Sequence, residues 1–279
     1  MEITGAIGFC IMVITVIFSA KGFNNHTFFA RYAFEVEKIL VNRDYKRLIT
    51  SGLLHVNWLH LIFNMFTLHA FSRSLEYTLG WVNFLIIYVG SLLGGNLFAL
   101  LIHKRHNDYT AVGASGAVNG VIFASMALFP GMSVSLLGIL ALPGWLYALL
   151  FVGISIYGIR SRSDNVGHEA HLGGALIGMI IAIIIHPSAL VANYIPILLV
   201  TIPSIFFIIF ILKRPHALLI QNLFYKTHQN YTVDDRYNIH KRNRQEEIDR
   251  ILEKIHKKGM NSLTKQEKRA LKEFSKLKE

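Results

Sequence analysis

Three polar groupings stand in the apolar part of this chain. Ser115 lies in Gly113-Ala114-Ser115-Gly116, His171 lies in Ala170-His171-Leu172-Gly173-Gly174-Ala175-Leu176-Ile177-Gly178, and His55, His60 and Asn64 share an earlier stretch. A serine hydroxyl beside an imidazole is a nucleophile for carbonyl carbon, and amide or imidazole N–H groups can receive the oxyanion its attack creates. All three stretches are apolar enough to cross a membrane. An ionisable group in such a stretch is costly and marks a functional site. The residue types therefore point to a hydrolase whose chemistry takes place within the bilayer.

The spacing assigns roles. Ser115 opens an apolar span, where the first turn of a helix offers unpaired N–H groups and a partial positive charge. Gly-x-Ser-Gly alone is a common tetrapeptide, and a serine bonded to its own helix accounts for it equally well; its position gives it weight. Gly116 and Gly120 repeat at small-xxx-small spacing, as do Gly174 and Gly178. The two helices can press together there and bring Ser115 and His171 to one depth. His171 then takes the serine proton and returns it to the leaving amine. Glu169 is two residues from His171 on a helix and faces elsewhere, so a Ser-His dyad is expected. His60 and Asn64, four apart on one helix face, are the expected oxyanion donors together with the Ser115 N–H. His55 suits either supporting hydrogen bonds or an interface anchor beside Asn57 and Trp58. His168-Glu169-Ala170-His171 sets its histidines three apart where a zinc helix needs four, so no metal site is expected. A transporter with proton-relaying histidines leaves the serine motif unexplained.

These groups need a membrane scaffold to position them. Of the 279 residues, 53% are hydrophobic and 16% charged, against about 25% charged in soluble domains. A hydrocarbon core about 30 Å thick takes about 20 apolar residues as helix, and seven stretches qualify: 3–20, 55–72, 80–103, 113–129, 143–159, 168–186 and 193–212. The first lacks a basic leader region and reads as a retained span rather than a signal peptide. Residues 132–142 are apolar and set off by Pro143-Gly144; an extended or interfacial approach to the fifth span is expected. Segment 21–54, with alternating aromatics and charges, suits the membrane interface. The single cysteine, Cys10, excludes an intrachain disulfide.

Of the 28 Lys and Arg residues, 17 fall in 213–279. A basic tail beside a membrane is drawn to anionic headgroups, and no nucleic-acid motif accompanies it. Ile248, Ile251, Leu252 and Ile255 follow helical spacing up to Gly259. Thr264 and Glu267 make a capping box before Leu271, Phe274 and Leu277. The organisation expected is a membrane domain over 1–212, a linker over 213–243 and a small basic helical hairpin over 244–279.

Taken in order, His55-x4-His60-x3-Asn64, Gly113-x-Ser115-Gly116 and Ala170-His171-x2-Gly174-x3-Gly178 resemble the rhomboid family of intramembrane serine proteases, in its bacterial form, over residues 3–186. Glu76 and Gly80 also fit that family's pattern, in which the acid is structural. The resemblance implies an all-α polytopic bundle of six spans, with 193–212 as a seventh, and a membrane-dipping loop at 21–54. It implies Ser115 as nucleophile, His171 as general base, and His60, Asn64 and the Ser115 amide as the oxyanion site. His55, Gly113, Gly116, Gly174 and Gly178 are supporting positions. It implies no cofactor, substrates that are single-span membrane proteins cut where their helix unwinds, and a place in the bacterial cytoplasmic membrane. One position departs: Asn119 stands where many relatives carry an aromatic residue stacked on the histidine, and a polar contact from Asn119 to His171 is expected in its place. The alternative is a catalytically silent relative that binds membrane clients; the presence of both Ser115 and His171 argues against it.

Overall fold

The computed structural model describes residues 5–104, 106–136, 140–161 and 167–213, together with Ile251, Ile255 and Thr264. The chain separates into two units, Met1–Ile220 and Gln221–Glu279. The expected linker and C-terminal hairpin lie almost entirely outside the described residues.

The membrane unit is an all-α bundle. Helix α1 (Ala6–Asn24) leads into a connecting segment of short pieces: α2 (His26–Tyr32), β1 (Phe34–Glu35), α3 (Val36–Leu40), α4 (Arg47–Thr50) and a 3-10 turn over Ser51–Leu53. Then come α5 (Trp58–His103), β2 (Thr110–Ala111), α6 (Ser115–Leu128), β3 (Ser133–Leu136), β4 (Leu140–Pro143), α7 (Gly144–Ser161), α8 (His168–Ile185), α9 (Ser188–Ala192) and α10 (Tyr194–Lys213). Helices α1, α5 and α8 are long and apolar enough to span a membrane, and α6, α7 and α10 hold shorter apolar stretches. At 46 residues α5 would be about 69 Å long if straight, more than twice a hydrocarbon core. It breaks at Gly80, whose φ of 79° and ψ of 161° are not helical; a left-handed φ of this kind favours glycine. Both ends of α5 lie by the same end of the bundle, His55 against Ala114 and His103 against Glu169. Its two halves therefore run antiparallel and supply the second and third spans.

Ser133–Leu136 and Leu140–Pro143 form an antiparallel ribbon, with Ser133 paired to Pro143 and Leu136 to Leu140. The extended approach expected from the sequence thus turns back on itself. A segment too short to span as helix can satisfy its backbone at a membrane only by pairing.

Two polar anchors hold the bundle ends. Glu76 accepts from the N–H groups of Gly5 at 3.0 Å, Ile7 at 3.3 Å and Gly8 at 2.7 Å. It thereby satisfies the open first turn of α1 with a negative charge at the positive end of the helix dipole. At the other end, buried Arg47 donates to Ala30 O at 2.9 Å, Ala33 O at 2.6 Å and Asp44 Oδ2 at 3.0 Å. Slight burial pushes the Asp44 carboxyl up, but hydrogen bonds and charge from Arg47 and Lys46 outweigh it and hold its pKa below the usual carboxylate value. This clamp therefore persists above the ordinary carboxylate range and is lost only as pH falls through the lowered value. Phe34, Val36, Ile39 and Leu48 pack with Ala99 into a small core of their own. Segment 21–54 is thus a folded layer.

Helix α6 sits at the centre, buried at every residue from Gly116 to Ala127. It meets α8 backbone to backbone, and α5 meets α8 in the same way. A Cβ on Gly178 would fall 2.5 Å from the Cα of Gly120, one on Gly174 would overlap the carbonyl of Gly116, and one on Gly95 would overlap the carbonyl of Ala170. A single added methyl tests this contact. Gly178→Ala should lower stability by about 1–3 kcal/mol, read as a drop in detergent-solubilised Tm. Gly153→Ala, where nothing lies within 4 Å, should not lower Tm and should raise it slightly, because alanine is the better helix former.

Candidate active site

Ser115 is the first residue of α6, preceded by a loop that three elements hold. β2 pairs antiparallel with β1, Phe34 opposite Ala111. The Gly113 N–H donates to Ser51 O at 3.0 Å. The Ala114 N–H donates to His55 Nε2 at 3.4 Å. Gly113 has a φ of 137°, and a Cβ there would come within 2.8 Å of His60 Cε1 and 3.1 Å of His60 Nε2. Only a glycine allows both the turn and the imidazole beside it.

His171 lies one turn into α8. The glycine contact sets the two helices close enough that His171 Nε2 stands 2.5 Å from Ser115 Oγ. That is hydrogen-bond distance for a hydroxyl donating to an imidazole nitrogen. Both side chains are partly exposed, so the pair is reachable from outside the bundle. Ser115 also sits where the unpaired amides of the α6 N-terminus gather, a place that favours negative charge.

The hydrogen bonds around His55 determine its tautomer. Ser19 Oγ donates its one proton to Leu53 O at 2.9 Å, so at 3.0 Å from His55 Nδ1 it must accept. Nε2 must accept from the Ala114 amide. His55 is therefore neutral with its proton on Nδ1, fully buried, and links α1 and the 3-10 turn to the loop that carries Ser115. His55 is thus bonded at both ring nitrogens, and its ring is not exposed. Its ring meets His60 edge to face at 4.8 Å between centroids.

Asn57 caps α5, its Oδ1 accepting from the His60 N–H at 2.8 Å. Asn64 lies one turn further on, buried, and donates from Nδ2 to His60 O at 2.9 Å. A side-chain amide carries two N–H groups, so this bond uses one of them. Asn119 does not meet the expectation of a contact to His171: its Nδ2 donates to Ser115 O at 2.8 Å. An asparagine four residues into a helix bonds back to the carbonyl one turn earlier, and that bond holds it on α6. The aromatic neighbours of His171 come from elsewhere. Phe151 on α7 lies 6.3 Å away between centroids, tilted by 33°, and His168 lies 5.8 Å away, edge to face.

Several participants left little trace in the sequence. His168 is one turn before His171, a spacing that signals a shared face. Phe151 has no such signal, because contact between α7 and α8 depends on helix rotation. Ser91 and Gly95, four apart, carry the small-residue spacing that marks a third surface in the seam. Asn96 reaches Leu48 O at 2.8 Å and Ser51 Oγ at 3.2 Å, tying α5 to the layer below the site. Glu169 Oε1 approaches His103 Nε2 at 3.3 Å, and the His103 ring lies flat on Tyr109 at 3.7 Å. The pair has ion-pair distance without hydrogen-bond alignment. Glu169 thus engages the end of α5.

The family model for the Rhomboid domain matches residues 42–188. A second model, a family of unknown function (DUF6576), matches residues 231–277. The chain is 29% identical over 148 residues to RHOMBOID-like protein 12, mitochondrial, of Arabidopsis thaliana, covering 48% of this chain and 44% of that protein. It is 33% identical over 151 residues to Rhomboid protein 1, mitochondrial, of Saccharomyces cerevisiae, covering 51% and 43%. It is 31% identical over 147 residues to YdcA of Bacillus subtilis, provisionally named a rhomboid protease, covering 51% and 68%. The match thus spans under half the length of the first two relatives.

The His55 linkage generates a stability test. Ser19→Ala leaves the buried Nδ1–H without its acceptor, which should cost about 1–3 kcal/mol. A fall in Tm checks it; an unchanged melting curve would remove Ser19 from the linkage.

Proposed function

The chain belongs to the rhomboid family, and on that footing we propose that it is an intramembrane serine endopeptidase acting through a Ser115–His171 dyad. The observation that supports this reading is the 2.5 Å approach of His171 Nε2 to Ser115 Oγ, at the head of a helix buried among membrane spans. In the proposed reaction Ser115 Oγ attacks the scissile carbonyl as its proton passes to His171 Nε2. The carbonyl oxygen becomes an oxyanion, received by the Ser115 N–H, His60 and Asn64. His171 then gives its proton to the leaving amine, and a water deprotonated by the same imidazole frees the acyl group. No step calls on a cofactor.

The substrates we propose are single-span membrane proteins. Peptide carbonyls inside a helix are hydrogen-bonded and shielded, so cutting requires a stretch that unwinds, as small residues allow. The part-exposed site suits such a strand. We also propose the bacterial cytoplasmic membrane as its place, since one relative is from Bacillus subtilis; several others are mitochondrial or chloroplastic. A silent client-binding protein is the weaker reading, because it gives no account of a serine and an imidazole held at bonding distance.

Reconstitution in vesicles with a panel of single-span substrates tests the proposal. Wild type should cut at least one, and Ser115→Ala and His171→Ala should abolish cutting with Tm preserved. Equal cutting by wild type and Ser115→Ala would exclude the dyad. Removing one oxyanion donor typically lowers kcat about 100- to 1000-fold. Asn64→Ala should fall in that range with KM little changed; an unaltered kcat would take Asn64 out of the oxyanion site.

A further inference from the structure

One hollow of the membrane unit lies far from Ser115 and His171. It is open to the surface, has a volume of about 700 Å3 and is lined by Arg73, Ser74, Tyr77, Thr78, Phe129, Gly131 and Met132, of which Arg73, Tyr77, Thr78 and Gly131 are exposed. These residues belong to the end of the first half of α5 and to the turn that follows α6. Since α6 has 14 residues, the hollow lies about 20 Å from Ser115, at the opposite end of the bundle.

Several observations put that end at the level of the lipid headgroups. The first turn of α1, capped by Glu76, is there. So are the kink at Gly80 and the paired ribbon β3–β4, whose backbone suits an interface better than open hydrocarbon. Tyr77, Trp81 and Trp145 are exposed at the same level, as aromatic side chains are where a membrane meets water.

The polar side chains of the hollow are uncommitted. Among the described residues, Arg73, Ser74, Tyr77 and Thr78 make no side-chain hydrogen bond or ion pair with the protein. Glu76, the nearest acid in sequence, is engaged by the amides of Gly5, Ile7 and Gly8. A guanidinium fork with three hydroxyl donors suits a phosphate, and a cation with no acid paired to it among the described residues favours a ligand with net negative charge. Phe129 and Met132 supply apolar wall, and the exposed faces of Tyr77 and Trp81 continue it toward the hydrocarbon. We propose that this hollow is a binding site for the headgroup of an anionic phospholipid, with Arg73 holding the phosphate and the acyl chains running along α5.

The test uses the full chain, delipidated in detergent and titrated separately with phosphatidylglycerol, phosphatidylcholine and inorganic phosphate, with bound species counted by native mass spectrometry. Phosphatidylglycerol should be retained in preference to phosphatidylcholine, and Arg73→Gln should weaken that retention about tenfold. Lys21→Gln, which removes an exposed cation at the other end of α1, should leave it unchanged. Gly131→Trp is the second variant. Nothing lies within 4 Å of a Cβ at Gly131, so the indole can fill the hollow while Arg73 stays in place, and lipid retention should fall as it does in Arg73→Gln. Equal retention of the two lipids, or full retention by either hollow variant, would overturn the site. Displacement of the lipid by millimolar phosphate would show that the occupant is a free anion and would overturn the lipid assignment.

Discussion

A hydroxyl and an imidazole on different helices meet at bonding distance only if the helix backbones come unusually close. Ordinary helix pairs are held 8–10 Å apart by their side chains. Here Gly116 and Gly120 on α6 face Gly174 and Gly178 on α8, with Gly95 of α5 against the same turn. In a membrane, where lipid is as apolar as leucine, such small-residue contacts supply packing that burial alone does not. The seam therefore holds the bundle together and also sets the separation of Ser115 and His171. Stability and geometry at the site are the same contact.

Around that seam the chain places its polar groups in linked sets. His55 ties α1 and the 3-10 turn to the Ser115 loop, and Asn96 ties α5 to the layer that holds that turn. Asn193 donates to the carbonyls of Ala127 and Leu128 at the end of α6. Each case answers one constraint, that a buried backbone group away from water must find a partner. The loop before Ser115 is restrained by β1, Ser51 and His55 together. Its conformation thus depends on residues 34–55, far from Ser115 and His171 in sequence.

Much of this was legible in the sequence, for identifiable reasons. Apolar runs near 20 residues have one stable solution in lipid, so the seven expected stretches each became a helix or half of one. Spacing along a helix is a local property, which is why Gly116, Gly120, Gly174 and Gly178 can be matched from the sequence alone. Other features depend on quantities that spacing does not contain. The pairing of β3 with β4 follows from how a short apolar segment closes its own hydrogen bonds. Asn119 was expected to serve His171, but its amide bonds to its own helix at Ser115 O, a local competitor always within reach. Phe151 approaches His171 only because α7 has a particular rotation, and no residue pattern encodes that rotation.

The cap that Glu76 places on α1 has a consequence for biogenesis. The amides it satisfies belong to Gly5, Ile7 and Gly8, and the carboxylate arrives about 70 residues later in the chain. While the ribosome is still making that stretch, the start of the first helix must be solvated by water or headgroups. Its seat in the membrane becomes final only after the second span has been translated and inserted. The first two spans therefore mature as a pair.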